Sequence, residues 1–259
     1  MAKIAAFVLA LMLAAVPALA EVTVERQTGE RFYPAGENWT YHFTYAYPHV
    51  LGEDYAAAAI NDTYQMALDE MTQLVLPMFA NEENMRFDGK NEVIHDFAVM
   101  CNQRELLSVM LYRRQTKGQE GVSLSMEALT FDLTGDYVGQ SLTLRGVTLA
   151  QAGVPTDQLE DVRAEDYPAL QKLIAGSSDE MADVLLDVLY PRFQELKQAG
   201  VVRADADQDA FEMAFSPAAD FYADEEGRVV FFLPPALLAQ PTFDVPLFPF
   251  TPEELEALL

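Results

Sequence analysis

From Val22 to Tyr47 the chain reads as two strands, and "TYHFTYAYP" alternates aromatic with polar residues before ending at Pro48. The period then changes. In "VLGEDYAAAAINDTYQMALDEMTQLVLPMF", Tyr55, Ala59, Ala67, Met71, Leu74 and Met78 recur at helical steps. This predicts an amphipathic helix with that stripe as its core face, interrupted near Pro77.

Period two returns after residue 91. "EVIHDFAVMCN", "ELLSVMLYRRQT", "GVSLSMEALTFDL" and "SLTLRGVTL" read as four strands, with turns at Asn102-Gln103, Lys117–Gly121 and Thr134-Gly135-Asp136. Links this short join antiparallel neighbours, so the segment is a meander. A second helical region spans about 166–198, with Ser177 and Glu180 as a capping box, Gly200 just past its end and Pro191 expected to kink or break it.

Phe211–Phe215, Phe221–Ala223 and Arg228–Leu233 read as strands. "DEEG" makes a hairpin turn, and Pro234-Pro235 ends the ladder. Thr251, Pro252 and Glu254 open a short last helix. The pattern predicts the α+β class: an antiparallel meander with amphipathic helices on one face.

Composition adds a compartment. Met1–Lys3, the apolar run Ile4–Val16 and Ala18-Leu19-Ala20 form a secretory signal peptide over residues 1–20, leaving one α+β domain at 21–259. The run is too short for a membrane span, and no later segment is long and apolar enough for one. The mature chain is therefore expected to be extracytoplasmic, without a transmembrane anchor. Removing Lys3 and no acid takes the formal charge from −25 to −26, 15 basic against 41 acidic residues. Such a charge repels phosphate backbones, so no nucleic-acid partner is expected.

Candidate chemistry is sparse. Cys101, the only cysteine, sits in a strand pattern that suits a small buried hydrophobe. His42, His49 and His95 show no zinc spacing, and His42 and His95 fall in strands, where hydrogen-bonded structural roles are expected. Nucleophile-elbow, P-loop and dinucleotide fingerprints are missing, and "TGDYVGQS" reads as a turn. Asp205, Asp207 and Asp209 match calcium-loop positions 1, 3 and 5, but Ala210 and Ser216 replace the required Gly and Glu. Asp69/Glu70 and Glu82/Glu83 are adjacent and do not face each other on a helix. Asn38-Trp39-Thr40 and Asn61-Asp62-Thr63 match glycosylation sequons. No catalytic, metal or cofactor-binding residue is assigned, and no cofactor is implied.

The order of parts resembles a known family. "YAYPHVLGEDYAAAAIN", "SLSMEALTFDLTGDYVGQSLTLRGV" and "FSPAADFYADEEGRVVFFLPPALL" are similar to a bacterial extracytoplasmic domain of unknown function, over roughly residues 37–250. That domain occurs in RsiV-type anti-sigma factors, which sense lysozyme, and beside the catalytic domain of some peptidoglycan deacetylases. The family's Gly-Gly-Ala-His-like turn is "TKGQEGVSLSM" here, and its late Tyr-Pro segment is only "PPALLAQPTFDVP", so ligand contacts through those turns do not carry over. A transmembrane helix, a sigma-binding segment and the deacetylase Asp-His-His triad are also lacking. The resemblance implies a secreted, non-enzymatic envelope module for a cell-wall ligand or a cationic protein such as a lysozyme. The alternatives are a wall-modifying hydrolase with carboxylates assembled by the fold, and a structural homo-oligomer.

Overall fold

A computed structural model of the protein describes residues 21–34, 40–81, 91–103, 105–116 and 121–259. The expected signal peptide, the sequon at Asn38, the pair Glu82/Glu83 and the turn segment 117–120 lie outside these residues.

Strands β1 (Thr23–Tyr33) and β2 (Tyr41–Leu51) pair antiparallel from Thr23↔Leu51 to Tyr33↔Tyr41. β2 continues three residues beyond Pro48, where the sequence pattern placed its end. On its other side it pairs with β3 (Asn91–Gln103) only from Tyr41 to Tyr45, so Pro48 has no second ladder to interrupt. The β2–β3 pair is parallel, and the intervening helices make the crossover that a parallel pair requires. β3, β4 (Leu106–Thr116) and β5 (Val122–Asp132) form the expected antiparallel meander, giving the order β1-β2-β3-β4-β5.

Helix α1 (Tyr55–Glu70) starts where the Asp54 carboxylate accepts the Ala57 N–H at 2.8 Å. Its core face is Ala57, Ile60, Tyr64 and Leu68, packed on the aromatic residues of β2. This corrects the predicted stripe: Tyr55 is 71% exposed and Leu74 66%. Both stripes have helical spacing, and apolarity alone does not rank them. Asn61 bonds both the N–H and the C=O of Val50, at 2.8 and 2.9 Å, so its side-chain amide locks the helix to β2. Near Pro77 the helix widens rather than breaks. A π-helical segment, Met71–Val75, leads into α2 (Leu76–Asn81), the local adjustment a proline ring and its missing N–H demand.

The fourth expected strand is helix α3 (Leu144–Gln151), capped by Thr143. Nearly all of its residues are buried, so no polar face marks its period, and the β-branched Val147 and Thr148 imitate a strand. A short helix α4 (Gln171–Ala175) precedes α5 (Ser178–Gln198). The Arg145 guanidinium of α3 donates to the terminal carbonyls Leu173 and Ile174 of α4, at 3.1 and 2.9 Å.

α5 has the predicted capping box and runs unbroken through Pro191. Leu185, Leu189 and Phe193 are buried on both sides of the proline, while Pro191 and Asp187 face solvent, so the freed carbonyl stays hydrated. Phe211–Phe215 is not a strand either: Asp207 caps helix α6 (Gln208–Ala214), and Phe211 packs 4.7 Å from Phe193.

The hairpin β6 (Phe221–Ala223) and β7 (Val229–Phe232) turns through Asp224–Gly227, with Gly227 at φ +84°. A third strand, β8 (Leu247–Phe250), joins β7, and its Pro249 hid it from the sequence reading. α7 (Pro252–Leu258) closes the chain with its predicted capping box.

Leu106–Leu111 of β4 are six consecutive buried residues. Leu107, Val109 and Leu111 join β2 and α1 in one core, while Leu106 and Met110 join Cys101, Ala128 and the C-terminal elements in the other. The amphipathic α1 thus covers one face as expected, and the C-terminal half covers the opposite one.

Ile60→Ala is expected to cost about 2–5 kcal/mol by cavity creation, and Leu74→Ala to stay within about 0.5 kcal/mol, in urea unfolding. Burial pushes the Asp220 carboxyl up to about 6, against the lowering effect of the Ser216 N–H that it accepts. Its ionisation therefore costs stability as pH rises from about 4 through 6. Asp220→Asn should gain about 1–3 kcal/mol on wild type between pH 4 and pH 7.

Candidate functional site

Cross-strand partners share a face, and the register aligns Tyr45, His95, Arg113 and Ser125 in one row across β2–β5. The neighbouring row adds Val93, Gln115 and Ser123. Where α1 widens into the π-helical segment, Glu70, Met71, Val75 and Phe79 roof these rows and leave a cleft of about 310 Å³. That is the small end of the roughly 300–1,000 Å³ of ligand pockets. π-helical turns are often found at functional sites.

The floor holds a buried pair. The Tyr47 hydroxyl and His95 Nδ1 are 2.6 Å apart, and the imidazole meets the Phe43 ring edge-on at 5.0 Å between centroids. Burial, then the nearby Arg113 charge, lowers the His95 pKa to about 3. Burial raises the Tyr47 hydroxyl to about 12. Both groups are therefore neutral at physiological pH. Arg113 forms an ion pair with Glu127, yet its Nε is sealed from solvent and finds no acceptor among the described residues. Glu70 lines the cleft from the end of α1, while the Arg114 side chain alternates to the opposite sheet face.

This arrangement suits binding better than proton transfer. A general base works best with a pKa near the operating pH, and His95 lies about four units below neutrality. It offers hydrogen bonds instead.

The sequence reading assigned His95 a hydrogen-bonded structural place. The bond to Tyr47 fits that, but the cleft around it was missed. The available signal was parity: His95, Arg113, Ser123 and Ser125 are polar residues on otherwise apolar strand faces, and only register brings them together.

Other motifs have local roles. Asp207 caps α6, and Asp205 sits 3.7 Å from Arg203. Cys101 is buried in the second core, its Sγ 4.0 Å from the Gln103 carbonyl. The buried Asp132 carboxylate accepts the N–H groups of Thr134, Gly135 and Tyr137 at 2.9–3.0 Å, which shapes the "TGDYVG" turn. His42 stacks on Phe32 and lies 3.0 Å from Glu30. Among the described residues no three His, Cys, Asp or Glu side chains converge on a metal position, and no helix is long and apolar enough to cross a membrane.

The lowered His95 pKa sets a pH dependence. Stability from the neutral imidazole is fully present above about 6.5 and is lost as pH falls toward 3. The stability advantage of wild type over His95→Asn should shrink by about 2–3 kcal/mol between pH 7.5 and pH 4, measured by denaturant unfolding.

Neither a family model nor a curated protein matches the sequence. Two solved structures that resemble the chain belong to the DUF3298 family. One, from Pseudomonas aeruginosa PAO1, is 13% identical with a TM-score of 0.36, covering 49% of this chain and 57% of that one. This chain thus spans little more than half of that protein. The other, from Bacteroides fragilis NCTC 9343, is 14% identical with a TM-score of 0.47, covering 92% and 93%.

Proposed function

We propose that this chain is an extracytoplasmic, non-enzymatic binding module of the bacterial envelope, with the cleft beneath the π-helical segment as a ligand seat. The observation that carries the reading is the Tyr47–His95–Arg113 floor. Its imidazole is held neutral by burial, next to an arginine with an unused donor. Such a floor recognises polar groups; it does not shuttle protons at neutral pH.

The leader pattern of residues 1–20 supports the compartment. The mature charge of −26, Lys3 removed from the −25 of the full chain, favours encounter with a cationic partner. The likeness in element order to the extracytoplasmic domain of RsiV-type anti-sigma factors and some deacetylases supports a lysozyme-like protein, or a wall component, as that partner.

Expression of the full chain in a bacterial host tests both parts. Mass spectrometry should find an extracytoplasmic chain beginning at Glu21. That chain should retain lysozyme on a pull-down at about 0.02 M salt and release much of it at about 0.15 M, as screening of exposed charges dictates. Intact precursor in the cytosol would remove the compartment, and no retention at low salt would remove the cationic partner.

A further inference from the structure

β5 is an edge strand, and its outer side is bonded along only part of its length. At its C-terminal end the Thr130 carbonyl accepts the Leu142 N–H, and Asp132 accepts from Gly139 and donates to Gln140. Antiparallel pairing alternates the two bonding directions, and the β4–β5 register runs without a shift from Leu106↔Asp132 to Thr116↔Val122. Val122, Leu124 and Met126 therefore turn their N–H and C=O outward too, where they have no hydrogen-bond partner among the described residues. No residue of 122–127 is buried. This edge is also unguarded. β1, the opposite edge of the sheet, carries Glu25, Arg26, Glu30 and Arg31, whereas residues 122–128 carry only Glu127.

A cleft lies on each side of the edge. Ser123 and Ser125 line the one beneath the π-helical segment, together with Glu70, which has no ion pair among the described residues. Val122, Ser123 and Leu124 meet Pro235, Ala236 and Pro241 around a second cleft of about 280 Å³. Side chains of a strand alternate, so a chain laid along β5 sends its residues to the two clefts in turn.

Charge decides what that chain carries. Glu127 shares a face with Ser123 and Ser125; its Oε2 accepts from Arg113, and its Oε1 has no partner among the described residues. The position opposite Glu127 suits a basic residue, as a cross-strand pair of opposite charge. The alternate position, toward Pro235, Ala236 and Pro241, suits an apolar one. A second copy does not fit. It would bring the same Glu127, and a formal charge of −25 against −25.

We propose that the outer edge of β5 binds an extended cationic segment of a partner protein as a further strand of the five-stranded sheet. Its main chain bonds Val122, Leu124 and Met126, a basic side chain lies beside Glu127, and an apolar one enters the cleft at Pro235, Ala236 and Pro241. This rests on the reading of the partner as cationic and adds where it docks.

Amide exchange of the mature chain, resolved by residue with NMR, tests this with a short blocked peptide alternating lysine with valine and its glutamate counterpart. At about 0.02 M salt the lysine peptide should slow exchange at Val122, Leu124 and Met126 along a saturating curve, and the glutamate peptide should not. Leu124→Pro removes an outward donor, leaves the β4 ladder its bonds and should weaken binding about tenfold or more. Glu127→Gln keeps the backbone and should weaken it about twofold to fivefold. Unchanged exchange at those amides in millimolar lysine peptide would overturn the proposal, and so would equal protection by the glutamate peptide. Protection that grows with protein concentration alone, with a dimer in light scattering, would name a second copy as occupant and overturn it too. Lysozyme retention separates the readings: retention unchanged by Leu124→Pro removes the edge and keeps the cationic partner, while edge protection without retention removes lysozyme alone.

Discussion

The fold depends on one strand being buried on both faces. Leu106–Leu111 of β4 send alternate side chains into two different cores, and neither core is complete without them. Even the polar residue in that run is satisfied internally: Ser108 bonds Thr130 on β5 at 2.8 Å, directly across the register. A strand in this position cannot slip by one residue, because a slip would exchange the contents of both cores at once. The registers that align His95, Arg113 and Ser125 follow from it.

The cleft exists because α1 cannot cover its whole sheet face. Ile60, Tyr64 and Leu68 press on β2, and the alanines let the backbone come close. A turn from the other end of the sheet docks on the same helix: a Cβ on Gly139, at φ +74°, would come within 2.5 Å of Ala59 Cβ. Past Glu70 the π-helical segment changes the helix's phase, and Leu76 re-enters the core beyond it. Between these anchors the outer half of β3–β5 is roofed but not filled. The polar residues there are therefore dehydrated without being packed, which is why His95 loses its basicity and Arg113 Nε lacks an acceptor.

Two strand readings failed for different physical reasons. "SLTLRGVTL" runs into a helix capped by Thr143 that is largely enclosed by its neighbours, and enclosure removes the polar face on which a helical period is visible. "FEMAF" follows the cap Asp207 and buries only Phe211 and Phe215, with Met213 exposed, so its apolar composition does not mark which residues face inward. Pro48, Pro191 and Pro249 were taken as stops, or concealed an element. In each case an edge position or a solvent-facing carbonyl makes the missing N–H cheap.

Local chemistry determined a good deal by itself. The capping boxes at Ser177 and Thr251, the Gly227 turn and the β3–β5 meander rest on interactions within a few residues, so their signals survive in one dimension. The α+β class followed from the change of period along the chain. Tertiary structure alone decided which face of α1 is inside, that β2 and β3 run parallel, and that Tyr47, His95, Arg113 and Ser125 meet under one roof. Those outcomes depend on register and on desolvation by residues tens of positions away, and a linear pattern carries neither.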